Sequence, residues 1–352
     1  MDKFLACSES EHRLYYAQAQ ARLGLPEISI EKDFWVCWVI HELFALPNIG
    51  EHLTFKGGTS LSKGWGLIQR FSEDIDIVID RGFLGCDDNS APETAGSNKE
   101  RNRRLKRLKA VAQEFVQQTL AVVLERRLQE RLSFTQDWLL VVDPGDPDKQ
   151  TLLFEYTSVF AEANYVRPLV RIELGARSDT EPTGMPGIEP YVTQAIREIF
   201  EPCQFTVPTV LPKRTFWEKA MLLHEETYRA AISLPKPRLA RHYYDLSRLI
   251  QAGIADEALA DMDLFARVAA HRSVFFRKQK EAQDSLRPGS LRLMPRPEHL
   301  SVWKQDYRAM RDMFFGEAPE FDAVLLLVGE FEERFNRGSA PRTSAPSPGP
   351  YP

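Results

Sequence analysis

The segment Asp74-Ile75-Asp76-Ile77 constrains the fold most, because acid and apolar residues strictly alternate along it. Alternation with period two fits a β-strand with one buried face, and a strand is expected over 75–79. Ile75 and Ile77 then enter a core, while Asp74 and Asp76 share the opposite face. Two carboxylates side by side repel each other unless a cation lies between them. Oxygen-rich pairs of this kind suit Mg²⁺, which takes one or two carboxylates together with substrate phosphates.

Upstream, Phe55-Lys56-Gly57-Gly58-Thr59-Ser60-Leu61-Ser62-Lys63 reads as a strand over 52–55, a glycine turn, and a helix over 60–68. Backbone N–H groups at a helix start attract phosphate, and glycine lets the phosphate come close. The Thr59 and Ser60 hydroxyls add donors. A phosphate cradle and a carboxylate pair one strand apart are the two halves of a phosphoryl- or nucleotidyl-transfer site.

Other phosphate and metal motifs fail. A P-loop needs glycine at 62 and Ser or Thr at 64, where this chain has Ser62 and Gly64. Gly64-Trp65-Gly66 has Gln69 in place of the third glycine of a dinucleotide fingerprint. No histidine follows His224-Glu225-Glu226 at the metalloprotease spacing.

A mixed α/β pattern fills the first half of the chain. Helices are expected over 10–24 and from Ser29, as N-cap, to 45. A loop over 82–98 leads into a long helix over 99–132, and strands follow at 138–142, 152–156 and 169–174. From about 212 the pattern is almost wholly helical, and the Ser/Pro/Gly-rich end reads as a disordered tail. The expected division is N-terminal helices at 1–48, a catalytic α/β domain at 49–210, a helical domain at 211–337 and the tail at 338–352. A chain of 352 residues is long enough for this.

With a net charge of −5, nucleic acid could be held only by a local basic patch. One exists in the run from Lys99 to Lys109 (Lys-Glu-Arg-Asn-Arg-Arg-Leu-Lys-Arg-Leu-Lys), which reads either as a solvated helix face or as a hold on an RNA backbone. The four cysteines form no CxxC pair, which argues against a zinc site or a disulfide framework. Neither a signal-peptide layout nor a membrane-spanning apolar run is visible, so a cytoplasmic protein is expected.

The stretches Lys56–63 and Arg70–Asp76 together resemble the AbiEii/AbiGii family of nucleotidyltransferase toxins, a branch of the DNA-polymerase-β-like superfamily. So do Glu31-Lys32-Asp33-Phe34-Trp35-Val36, Phe216-Trp217-Glu218-Lys219, Arg241-His242-Tyr243-Tyr244-Asp245-Leu246, the stretch 286–293 and Trp303-Lys304-Gln305-Asp306-Tyr307. The resemblance implies a nucleotidyltransferase-type mixed sheet with flanking helices, followed by a helical domain. It implies a third carboxylate on a later strand, for which Glu173 in Ile172-Glu173-Leu174 is the candidate and Glu155 the alternative.

The expected metal ligands are therefore Asp74, Asp76 and Glu173, with Mg²⁺ as cofactor. Lys219 and Asp245 join them as catalytic candidates. Gly57, Gly58, Thr59, Ser60, Lys63, Arg70 and Arg241 are the candidates for binding the nucleotide, with Lys56 as a further cation beside the motif. The implied activity is transfer of a nucleoside monophosphate from an NTP to a hydroxyl acceptor such as the tRNA 3′ end, by the toxin of a toxin–antitoxin pair with a cognate antitoxin. The alternatives are a non-catalytic nucleotide- or RNA-binding module, or transfer to a protein or small-molecule hydroxyl.

Overall fold

The computed structural model describes residues 1–132, 137–160, 167–229, 233–276 and 280–338. The rest of the expected tail, 339–352, lies outside them. Two compact units form: Met1–Leu211 with Met313–Ala318, and Pro212–Asp312 with the described residues from Pro319 onward.

Among the described residues of the first unit lie the strands β1 (Leu53–Lys56), β2 (Asp74–Ile79), β3 (Trp138–Val142), β4 (Thr151–Tyr156), β5 (Leu169–Gly175), β6 (Thr183–Gly184), β7 (Gly187–Ile188), β8 (Phe205–Thr206) and β9 (Thr209–Val210). Seven make one mixed sheet in the order β3-β4-β5-β2-β1-β9-β6, and β7 and β8 pair separately. β2 runs antiparallel to β1 and parallel to β5. The expected mixed α/β architecture is what forms.

The sheet's two faces differ. Phe55, Ile75, Ile77, Leu152, Phe154, Ile172 and Leu174 are all buried on one of them. The Glu27–Phe44 helix packs there through Trp35, whose ring stacks on Tyr156 with centroids 5.1 Å apart. That helix is apolar around most of its circumference and is buried from Ile30 to Ile40, as a helix covered on several sides must be. On the other face stand Lys56, Asp74, Asp76, Arg171, Glu173 and Glu155, all at least partly accessible.

Local chemistry moves several expected boundaries. The second helix starts at Glu27 behind Pro26, not at a Ser29 cap; proline's fixed φ suits a helix entry. The helix expected over 60–68 ends as a π-turn, Ser60–Gly64, because Gly66 follows at φ +64°. Arg70 then forms a β-bridge with Phe314, which joins Met313–Ala318 to this unit. The basic helix runs Asn98–Phe115 and continues through a π-turn at Val116–Leu120 into Ala121–Leu132.

In the second unit the described residues form helices, among them Pro212–Thr227, Arg241–Gln251, Met262–Phe275 and Phe321–Arg337. Trp217, Phe265, Phe331 and Phe335 meet at the centre of this unit, with Trp217 4.9 Å from Phe265 and 5.5 Å from Phe335.

Candidate active site

The pleat of β2 sets the carboxylates. Its burial alternates through Asp74, Ile75, Asp76 and Ile77, so both aspartates rise from one face while both isoleucines enter the core. Asp76 pairs with Lys56 on β1 and with Glu173 on β5, and Glu173 pairs with Thr151 on β4. A row Lys56, Asp76, Glu173, Thr151 thus crosses four strands on one face. Glu155 lies a strand further out, opposite Leu169.

The glycine turn closes over this row. Gly57 adopts φ +80°, a conformation glycine takes at little cost. A Cβ at Gly57 would lie 1.9 Å from Asp76 Oδ2, so the turn's backbone rests directly on that carboxylate. A Cβ at Gly58 would meet Ser72 Oγ at 2.8 Å and Arg70 Nη2 at 2.9 Å. Arg70 is buried against this turn, and Ser72 was not among the expected site residues. Its signal was present in the alternation, since Ser72 lies two residues before Asp74.

Thr59 and Ser60 are fully buried and brace the turn from within. Thr59 Oγ1 donates to the Asp74 carbonyl at 2.5 Å, and Ser60 Oγ donates to the Gly57 carbonyl at 2.9 Å. The Lys63 side chain is also buried, paired with Asp33 at 2.8 Å and placed 3.3 Å over the Tyr191 ring. Burial disfavours its charge, but attraction to Asp33 outweighs this and raises its pKa above the ordinary lysine range. Burial pushes the Asp33 carboxyl up, with Lys63 opposing. Lys56 Nζ donates to Ser178 Oγ at 2.8 Å.

Arg171 is a second cation on the carboxylate face, besides Lys56. It reaches Asp143 at 2.7 Å and Glu173 at 2.9 Å, and burial is outweighed by these acids and Asp74, so its pKa is raised. Asp74, Asp76 and Glu173 present carboxylate oxygens from adjacent strand positions on one face, the hard donor type that Mg²⁺ takes. Among the described residues, no three His, Cys, Asp or Glu side chains are gathered closely enough to hold a metal ion. The Glu173 carboxylate is drawn to Arg171 instead.

In the helical unit, Lys219 and Asp245 are brought together. Lys219 Nζ lies 2.8 Å from Asp245 Oδ2, and Asp245 is fully buried. Lys219 Nζ is also 3.5 Å from His242 Nδ1. Arg241 opens the Arg241–Gln251 helix that carries Asp245.

The basic run is partly neutralised from within. Glu100 accepts from Arg103 at 2.7 Å and Arg104 at 2.8 Å, and Arg104 also donates to the Ala91 carbonyl. Beside it, Asn89, Ser90, Glu100, Arg103, Arg104 and Arg107 line a cavity of about 280 Å³. No helix among the described residues is long and apolar enough to cross a membrane.

The family model described as nucleotidyl transferase AbiEii toxin, type IV TA system, matches residues 40–326. No curated protein matches the chain. Among solved structures, MenT4, a nucleotidyltransferase toxin from Mycobacterium tuberculosis H37Rv, is similar at 15% identity and a TM-score of 0.40, over 93% of this chain and 97% of that one. JHP933 from Helicobacter pylori is similar at 14% identity and a TM-score of 0.42, over 89% of this chain and 94% of that one.

Proposed function

We propose, for a chain that belongs to the AbiEii family of nucleotidyltransferase toxins of type IV toxin–antitoxin systems, that Asp74, Asp76 and Glu173 form the reaction centre and that RNA is the acceptor. Family membership makes the protein a nucleotidyltransferase and implies an NTP substrate and a cognate antitoxin. The observation that carries the site assignment is the contact between the Gly57 backbone and the Asp76 carboxylate, because it sets the glycine turn directly beside the paired acids.

Turnover starts with an NTP whose triphosphate lies along the backbone of Gly57, Gly58, Thr59 and Ser60, with Arg70 behind Gly58. The acceptor hydroxyl oxygen attacks the α-phosphorus in line. A new P–O bond forms, the bond to the α,β-bridging oxygen breaks, and pyrophosphate leaves. The hydroxyl proton passes to the carboxylate face. Asp74 and Asp76, with Glu173, would hold Mg²⁺, which when bound would neutralise phosphate charge and acidify the hydroxyl. Turnover also needs Lys219, Asp245 and Arg241, and Lys63 braces the glycine turn.

The acceptor reading rests on the basic helix. Arg103 is 77% exposed at its side chain and shares its cavity with Arg107, an arrangement suited to backbone phosphates of an RNA such as tRNA in the cytoplasm. The test incubates the protein with Mg²⁺, each labelled NTP in turn and total tRNA, beside an Asp74→Ala control. Label entering RNA with the wild type alone supports the reading. Incorporation into protein or a small molecule instead would redirect the acceptor, and nucleotide binding without turnover would favour a binding module.

A further inference from the structure

Three successive charged residues, Glu31, Lys32 and Asp33, are buried at the start of the Glu27–Phe44 helix, with exposures of 1%, 3% and 4%. Buried charges are costly unless paired, so their partners show what they hold. Glu31 accepts from the Val159 N–H at 2.8 Å. Lys32 pairs with Glu73, the residue directly before Asp74. Asp33 pairs with Lys63 and accepts from the Tyr191 N–H at 2.7 Å.

Lys63 belongs to the π-turn that continues the glycine turn without a break. Consecutive residues on a helix point about 100° apart, so neighbouring positions reach different neighbours. One helical turn therefore grips the start of β2 through Lys32 and the far end of the glycine turn through Asp33. Those two segments are the ones that meet where the Gly57 backbone lies against Asp76.

We infer that Lys32 and Asp33 are positioning residues that fix the spacing between the glycine turn and the Asp74 and Asp76 carboxylates. This rests on the site assignment made above. The two arms act on different parts of the reaction. Lys32, through Glu73, sets where the β2 carboxylates stand and so governs turnover. Asp33, through Lys63, sets the turn that receives the triphosphate and so governs the KM for NTP. Displacing a reacting group by about 1 Å costs on the order of 10²-fold, so even partial loosening is measurable.

The test compares Glu73→Gln and Asp33→Asn with wild type and with Asp76→Ala, measuring label transfer from NTP and amide exchange across 57–64 and 73–77. Glu73→Gln keeps the side-chain shape at a partly exposed position, and a thermal melt of each variant reports whether it folds. The expected result for Glu73→Gln is a kcat at least about tenfold lower with KM within about twofold, and faster exchange in 73–77. For Asp33→Asn it is a KM at least about tenfold higher and faster exchange in 57–64. Lys32→Arg should keep most of the activity that Lys32→Met loses. If Asp33→Asn does not fold, the Glu73→Gln and Lys32 results decide the matter. The inference is overturned if Asp76→Ala is inactive while the Glu73 and Asp33 variants match wild type, or if they lose only global stability. A fully active Asp76→Ala would instead remove the site assignment, and the positioning role with it.

Discussion

Gly57 and Asp76 are in direct contact: the glycine's α-carbon faces the carboxylate so closely that a Cβ would lie 1.9 Å from Oδ2. Gly57→Ala therefore carries two penalties, the left-handed φ of +80° and a collision with Asp76. The backbone term alone is about 1–2 kcal/mol. Transfer should fall by about 10²-fold or more as Asp76 is displaced. Gly66→Ala is the matched control, since it has φ +64° but open space around it. It should show the stability loss in a thermal melt and keep its activity; equal activities for the two variants would contradict the contact's importance.

Register separates the two candidates for the third carboxylate. Glu173 is the strand partner of Asp76, whereas Glu155 pairs with Leu169 one strand further out. Glu173→Gln should lower kcat by about 10²-fold and Glu155→Gln by less than about twofold. Steady-state kinetics of the two single variants give the answer, and the reverse order would move the assignment to Glu155.

The placement of the paired aspartates beside the glycine turn was more legible than the scaffold that supports it. Acid–apolar alternation placed Asp74 and Asp76 on one face because a strand permits no other arrangement. The turn was legible because Gly57-Gly58 directly follows an apolar strand. Asp33 and Lys63 were not legible as a pair, since their contact joins positions 30 residues apart and leaves no local pattern. Lys63 looked like a phosphate ligand for the same reason: a lysine beside a glycine turn carries no sign of the buried aspartate facing it. The short strands β6 to β9, two residues each, lack any periodicity to detect.

Glu42 ties the Glu27–Phe44 helix to Ala121–Leu132. Its buried carboxylate accepts from Arg127 at 2.6 Å and lies 3.4 Å from Arg131. Burial works against its charge, but His41, Arg127 and Arg131 outweigh burial and hold its pKa below the ordinary glutamate value. A depressed folded pKa gives stability that is present above the unfolded value and lost as pH falls through the folded one. Glu42→Gln should thus cost about 1–3 kcal/mol at neutral pH, with the deficit shrinking below about pH 4. Urea unfolding of both proteins at neutral and acid pH checks this, and a deficit independent of pH would contradict it.

Acceptor binding should depend on salt through the basic helix. Arg103→Ala and Arg107→Ala should each weaken RNA binding and flatten the plot of log affinity against log salt by about 0.7–0.9 per lost phosphate contact. The NTP KM should not change. Unaltered salt slopes would mean that the Asn98–Phe115 helix is a solvated face and the RNA lies elsewhere.

The most direct test of the reaction centre measures pyrophosphate release and label transfer together, with Mg²⁺ or EDTA, for wild type, Asp74→Asn and Asp76→Asn. Wild type should release one pyrophosphate for each nucleotide transferred and stop in EDTA. Each variant should fall by at least about 10³-fold while its thermal melt stays close to that of wild type. Transfer at the wild-type rate by either folded variant, or in full with EDTA present, would contradict the assignment.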